Sequence, residues 1–318
     1  MGGGSLKNTN CIRLNKELYE NIKLNIINKL SIYNNFEAII EAPEKETFGD
    51  LDLIYIEKEG VDIKEIVNNL FSPNEVFGND NLYSFSYKIN DSDYFQIDLI
   101  KVSNINLAQF YYGYGGLGEI IGITLRNNNL VFGYDGIWVN YVNKKLILLT
   151  DPEKICNFIN LDYNKWKEGF KTKIDFYNWI IKCKYFNKDD FDINTFNSIY
   201  LGKYKKRPYF KSFVDFVNKL EMEPHKKINY SVDDYINMFH KGNNMETIDK
   251  QIYIERMHRE KLSAQVFALY TEPKNINKYK NNFKEYISKN NDIDEWLINN
   301  NKEYISNQIK EYIINNPI

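Results

Sequence analysis

Thr47-Phe48-Gly49-Asp50-Leu51-Asp52-Leu53-Ile54-Tyr55-Ile56 sets two carboxylates one residue apart at the head of an apolar run. Residues i and i+2 of a strand point to the same face, so Asp50 and Asp52 project together. Leu51, Leu53 and the β-branched residues after them supply the buried part, and Gly49 allows a tight turn just before. Like charges this close repel. A divalent, oxygen-loving cation relieves the repulsion, since Mg²⁺ takes one or two carboxylates plus substrate phosphates rather than a full protein cage. Alone, Asp-x-Asp is a weak signal and fits a solvated strand edge better than a metal site. A second apolar run, Tyr94-Phe95-Gln96-Ile97-Asp98-Leu99-Ile100, carries another carboxylate where an unpaired charge is costly. Three carboxylates on two neighbouring strands point to a two-metal phosphoryl-transfer centre.

Outward from this stretch, the order of elements is that of a small mixed α/β layer. Leu14, Leu18, Ile22, Ile26 and Leu30, with Ile27 beside them, give a helix over 14–30. Phe36–Ile40 reads as a first strand, and the polar turn 41–46 with Pro43 leads into the acidic strand. Ile63, Ile66, Val67 and Leu70 predict a crossover helix over 61–70, ended by Pro73 and the Gly78-Asn79-Asp80-Asn81 turn. Runs 82–89 and 94–102, joined by Asn90-Asp91-Ser92-Asp93, predict a hairpin with Asp98 in its second arm.

The 318 residues are enough for two domains, and a 43% hydrophobic, 15% aromatic composition is enough for cores without staples. Cys11, Cys156 and Cys183 are scattered and odd in number, which argues against a disulfide scaffold or a zinc knuckle and for a reducing setting. His225, His240 and His258 lie late in the chain and read as surface or structural. No window approaches a membrane span, and the polar Met1-Gly2-Gly3-Gly4-Ser5 opening has no hydrophobic signal core. The expectation is therefore a soluble, non-membrane, intracellular protein of the cytoplasm or a host-cell cytoplasm, with a flexible leader over 1–8. Residues 1–150 hold 13 Lys+Arg against 19 Asp+Glu, net −6, whereas 151–318 are net +4. An acidic half beside a basic half suits a metal-dependent enzyme on a polyanion, and also ordinary solvated surface.

Gly49-Asp50-Leu51-Asp52-Leu53-Ile54, followed about fifty residues later by Gln96-Ile97-Asp98-Leu99-Ile100, resembles the catalytic core of the DNA-polymerase-β-like nucleotidyltransferase superfamily. Phe110-Tyr111-Tyr112-Gly113-Tyr114-Gly115-Gly116 is similar to the aromatic turn that borders the sugar and base of the incoming nucleotide in family X polymerases, with Ile120–Arg126 as the helix after it. Leu130–Val139 resembles the family's next strand, and 150–161, with Pro152 at the first helical position, resembles its closing thumb helix. The likeness covers about residues 36–163. It implies an α+β fold with a nucleotidyltransferase palm of mixed sheet and helices over 9–105 and a small α/β thumb-like subdomain over 106–163. Read from the residues alone, the polar opening is a leader over 1–8, and apolar residues at helical spacing, as in Phe176, Trp179, Ile180 and Phe213, Phe216, Val217, Leu220, give an all-helical C-terminal domain over 164–318. The likeness further implies that Asp50, Asp52 and Asp98 bind Mg²⁺, or Mn²⁺ in its place. Gly49, Lys45, Tyr111, Tyr112 and Gly113 would then border a nucleoside triphosphate. Attack of a DNA or RNA primer 3′-hydroxyl on the α-phosphate, releasing pyrophosphate, is the reaction implied.

One departure bears on activity. The superfamily places Gly-Ser eight to ten residues before its paired aspartates to hold the triphosphate, and this chain has Ile39-Ile40-Glu41-Ala42 there. A glutamate would repel phosphates, and Lys45 is the cation left in that turn. Further on, Lys203-Tyr204-Lys205-Lys206-Arg207-Pro208-Tyr209-Phe210-Lys211 combines cations with aromatics, a mix suited to phosphate contact and base stacking or to a solvated helix entry. Some viral and phage members of the superfamily carry a similar stretch. Lys203, Lys205, Lys206, Arg207 and Tyr209 are thus the candidate nucleic-acid contacts. Two readings stand: a polymerase or terminal-transferase type enzyme, and a binding or scaffold subunit that kept the fold without the triphosphate site. The polymer, template requirement and oligomeric state are open at this level.

Overall fold

The computed structural model describes residues 4–141, 144–222, 228, 230–239 and 245–317. The chain divides into two compact units, Met1–Ile236 and Asn237–Ile318, so the expected junction at 163/164 lies inside the first. The fold is mixed α+β, and the first unit holds the sheets.

In chain order, β1 (Leu14–Asn15) enters α1 (Lys16–Leu30), followed by β2 (Phe36–Ala38), β3 (Thr47–Phe48) and β4 (Asp50–Tyr55). Helix α1 starts later than its apolar repeat because Leu14 pairs with Phe48 and the Asn15 side chain caps the first turn. Its buried face is Tyr19, Ile22, Ile26 and Leu30, while Leu18 is turned outward. A strict four-residue repeat advances about 40° per step on a helix of 3.6 residues per turn, so it cannot hold one face along the whole helix. Helix α2 (Ile63–Phe71) is capped by Asp62, and β5 (Val76–Gly78), β6 (Leu82–Lys88) and β7 (Tyr94–Lys101) complete a five-stranded sheet in the order β2-β4-β7-β6-β5. Strands β4 and β7 run parallel and the other neighbours antiparallel. The expected hairpin turn is present, with Asn90 Oδ1 accepting from the amides of Ser92 and Asp93.

Alternation divides this sheet cleanly. Leu51, Leu53 and Tyr55 of β4, Phe95, Ile97 and Leu99 of β7, and Tyr83 and Phe85 of β6 form one core with α1 and α2. Neighbouring residues point to the opposite face. There Ile54 and Ile100 pack against Ala108 and Tyr112 of α3 (Ile105–Tyr112), leaving Asp50, Asp52, Ser84, Ser86, Gln96 and Asp98 as a polar strip.

Helix α4 (Leu117–Arg126) follows the aromatic turn. The expected single strand over 130–139 is instead a hairpin, β8 (Val131–Gly133) and β9 (Gly136–Tyr141), joined to β10 (Lys144–Leu149) in a three-stranded sheet. The break comes at Tyr134-Asp135, where Gly136 has a φ of 110° that side chains rarely adopt. Helix α5 (Pro152–Ile159) falls within the helix expected over 150–161, with Pro152 at its first position and Asp151 accepting from the Lys154 amide at 2.9 Å. Helices α6 (Tyr163–Glu168), α7 (Lys173–Ile180), α8 (Ser198–Lys206), α9 (Pro208–Asn218) and α10 (Val232–Phe239) follow.

The second unit packs α11 (Met245–Lys261), α12 (Ala264–Phe267), α13 (Ile276–Ser288), α14 (Ile293–Asn299) and α15 (Lys302–Asn315) around Phe267, Phe283, Leu297, Ile305 and Ile309. His258 pairs with Asp294 at 2.6 Å within it, whereas His225 and His240 lie outside the described residues. No helix among the described residues is long and apolar enough to cross a membrane.

Candidate metal centre

The parallel pairing of β4 and β7 sets Asp52 directly opposite Asp98 and Asp50 opposite Gln96. Each of Asp50, Asp52 and Asp98 offers a carboxylate oxygen within 4.8 Å of the others, an arrangement that could hold a metal ion. Gly49 forms the buried bend between β3 and β4 that launches the first two. Burial pushes the Asp52 carboxyl well above its usual range, and the charges of Asp50, Asp98 and Glu41 add to this while Lys45 opposes it. Asp98 is pushed up to about 6 by burial and by Asp50, against the Ser84 hydroxyl and the Gln96 amide, which favour the charged form. Ser84 stands opposite Asp98 on β6 and is fully buried, so its hydroxyl faces the carboxylate out of solvent. Repulsion among the three carboxylates fits a hard cation at this point.

Segment 39–42 lies beside the acidic strand. Ile39 donates its amide to the Asp52 carbonyl at 3.1 Å. Gln109 of α3 bridges the same segment, accepting from the Ile40 amide at 3.0 Å and donating to the Ala38 carbonyl at 2.8 Å. The amides of Ile39 and Ile40 are therefore committed to the fold. Glu41, expected to repel phosphates, is held by the Tyr19 hydroxyl at 2.7 Å and the Lys45 ammonium at 2.5 Å. Burial and the Glu41 charge push the Tyr19 hydroxyl upward, so it remains a donor. Lys45 also lies over the Phe48 ring at 4.8 Å, which places it between Glu41 and the head of the acidic strand.

Tyr111 and Tyr112 end α3 with rings half-buried and 4.9 Å apart, and Tyr111 meets Phe132 of β8 at 5.4 Å. A Cβ on Gly118 would stand 2.4 Å from the Tyr111 ring and carbonyl, so only glycine admits this approach. Burial, then Tyr111, Tyr134, Asp135 and Asp52, push the Tyr112 hydroxyl up to about 12. Gly113 is buried against Ile40, and Tyr114, in a left-handed conformation, donates to the Trp166 carbonyl from the core. Tyr112 thus feels the charge of Asp52, Tyr111 faces Phe132 and the charge of Glu119, and Tyr114 anchors the turn from the core.

The basic stretch is divided. Lys203 and Arg207 both meet Glu119 of α4, each at 2.7 Å, and Tyr209 donates to the Pro43 carbonyl, tying the start of α9 to the turn that carries Glu41 and Lys45. Lys205 and Lys206 are exposed on the last turn of α8. Reading the sequence alone missed Tyr19, Ser84, Gln96 and Gln109. For Ser84 and Gln96 a signal existed, since Ser84-Phe85-Ser86 and Gln96-Ile97-Asp98 alternate polar and apolar residues as half-buried strands do. No protein-family model matches the chain, and no curated protein matches it.

Proposed function

We propose that this chain is a metal-dependent nucleotidyltransferase that transfers a nucleoside monophosphate from an NTP or dNTP to a nucleic-acid 3′-hydroxyl. The observation that carries the reading is the meeting of Asp50, Asp52 and Asp98 on two adjacent parallel strands, with ligand oxygens within 4.8 Å. Three hard carboxylates suit Mg²⁺ or Mn²⁺ better than softer metals. A bound divalent ion would supply charge neutralisation at the reacting phosphate and a lower pKa for the attacking hydroxyl. Asp50, Asp52 and Asp98 would hold it, and Tyr112 would border the nucleotide sugar. In the overall step a bond forms between the primer 3′-oxygen and the α-phosphorus, the bond to the bridging oxygen breaks, and pyrophosphate leaves.

Glu41 and the committed amides of Ile39 and Ile40 favour a second reading, a nucleic-acid-binding or scaffold subunit on the same fold. The two are separated by incubating the protein with Mg²⁺ or Mn²⁺, each NTP and dNTP, and labelled DNA and RNA primers with and without template. Incorporation that vanishes in Asp50→Asn, Asp52→Asn and Asp98→Asn, each still folded by circular dichroism, is the expected result. Primer binding with no incorporation under any condition favours the scaffold.

A further inference from the structure

The polar strip of the sheet does not end at the carboxylates. Gln96, 1% exposed, lies next to Asp98 on the same face of β7, and its Nε2 donates to both Asp98 oxygens at 2.9 Å. Its Oε1 accepts from the amides of Ser5 and Leu6, at 3.0 and 3.4 Å. Ser5 to Asn8, within the segment expected as a flexible leader, are therefore docked. Leu6 is buried, the amides of Lys7 and Asn8 donate to Glu75 at 3.0 and 2.9 Å, and Ile12 and Tyr94 extend the contact through backbone bonds.

A glutamine amide can sit either way round, and its neighbours decide which. Backbone amides only donate, so Ser5 and Leu6 require Oε1 on their side, and that turns the NH₂ toward Asp98. The same bonds hold one carboxylate orientation, with an Asp98 oxygen within 4.8 Å of the ligand oxygens of Asp50 and Asp52. Were the segment displaced, the amide could rotate and present oxygen to oxygen. That would drive the Asp98 carboxylate from its place.

We propose that Gln96 is a positioning residue for the third metal ligand, and that Ser5 and Leu6 act through it as part of the centre's outer shell. This rests on the metal-centre reading of the function. Outer-shell partners of metal ligands typically govern affinity by about 10- to 100-fold. Gln96→Leu should therefore weaken Mn²⁺ binding by about that factor, read by the electron paramagnetic resonance of free Mn²⁺. Ser5→Pro/Leu6→Pro removes both amide donors while keeping Gln96, and should weaken Mn²⁺ similarly. Because both act through one side chain, their combination should cost little more than Gln96→Leu alone, whereas independent structural damage would add. Two outcomes overturn the proposal while leaving the metal centre standing: wild-type Mn²⁺ affinity in folded Gln96→Leu or, should that variant not fold, in Ser5→Pro/Leu6→Pro; and additive losses in the combination. Wild-type protein whose Mn²⁺ binding is absent or indifferent to Asp52→Asn overturns both.

Discussion

On the polar strip of the five-stranded sheet, Asp50, Asp52 and Asp98 bring like charges within 4.8 Å of one another, and burial raises the cost of charging Asp52 and Asp98. Between α4 and α8, by contrast, Glu119 meets Lys203 and Arg207 at 2.7 Å each, so opposite charges are matched inside the chain. The first arrangement works against the folded state, and a bound cation would offset it. The second works for the folded state and withholds two cations from any partner. A cluster of one sign is thus the stronger pointer to a ligand, and a run of cations has to be sorted by what each already touches.

The largest expected effect is on the acidic side and follows from the sign of its shift. Asp98 is raised from 3.8 to about 6, so the folded state binds its proton more tightly than the unfolded chain. Its contribution to stability is fully present below about pH 4 and lost as pH rises through 6, to a limit of about 3 kcal/mol. Asp52 shifts in the same direction. Urea unfolding of the protein in EDTA should therefore show stability falling between pH 4 and 8. Mg²⁺ or Mn²⁺ should oppose the fall, and Asp52→Asn should flatten it by removing one of the repelling charges. A metal-free profile that stays level or rises over this range would remove the repulsion on which the contrast depends.

Much of this side was legible in the sequence because strands repeat every two residues. Asp50 and Asp52 share a face whatever surrounds them, and the apolar frame of 94–100 made Asp98 their neighbour once β4 and β7 paired. Helix α5 was legible through Asp151 and Pro152, which act within one turn. Less local matters were not. The break at Tyr134-Asp135 depends on the pairing of β8 with β9, and the docking of Ser5 and Leu6 on Gln96 spans some ninety residues of chain. The run 203–211 displayed its cations, but only folding brings Glu119 to Lys203 and Arg207. Composition shows which charges exist; contact order hides which of them meet.

A smaller effect should come from Glu119→Gln, which keeps the shape of the residue and removes its charge. Its partners Lys203 and Arg207 are 29% and 54% exposed, so solvent screening limits the loss of stability to about 1 kcal/mol by urea unfolding. Freed from Glu119, the two cations can reach phosphates. Nucleic-acid binding should then become more salt-dependent, its log–log slope steepening by up to about 0.9 per contact on duplex. Lower stability with unchanged binding would instead make Lys203 and Arg207 purely structural.

The smallest effect tests whether anything in the basic stretch serves a polyanion as the wild-type chain stands. Lys205 and Lys206 are exposed at the end of α8, so replacing both with Ala should leave the unfolding midpoint almost unchanged. The slope of log affinity against log salt should fall by up to about 0.9 per lost contact on duplex, or about 0.7 on a single strand. Phosphate contacts carry no base information, so the loss should be similar for all sequences. For an enzyme the cost should show at subsaturating primer and fade at saturation, because these side chains hold the polymer away from the reacting phosphate. If the slope is unchanged on DNA and RNA alike, Lys205 and Lys206 are solvated surface. The contrast would then sharpen to one side only, with the carboxylates alone pointing to a ligand and the basic stretch serving the junction of α4, α8 and α9.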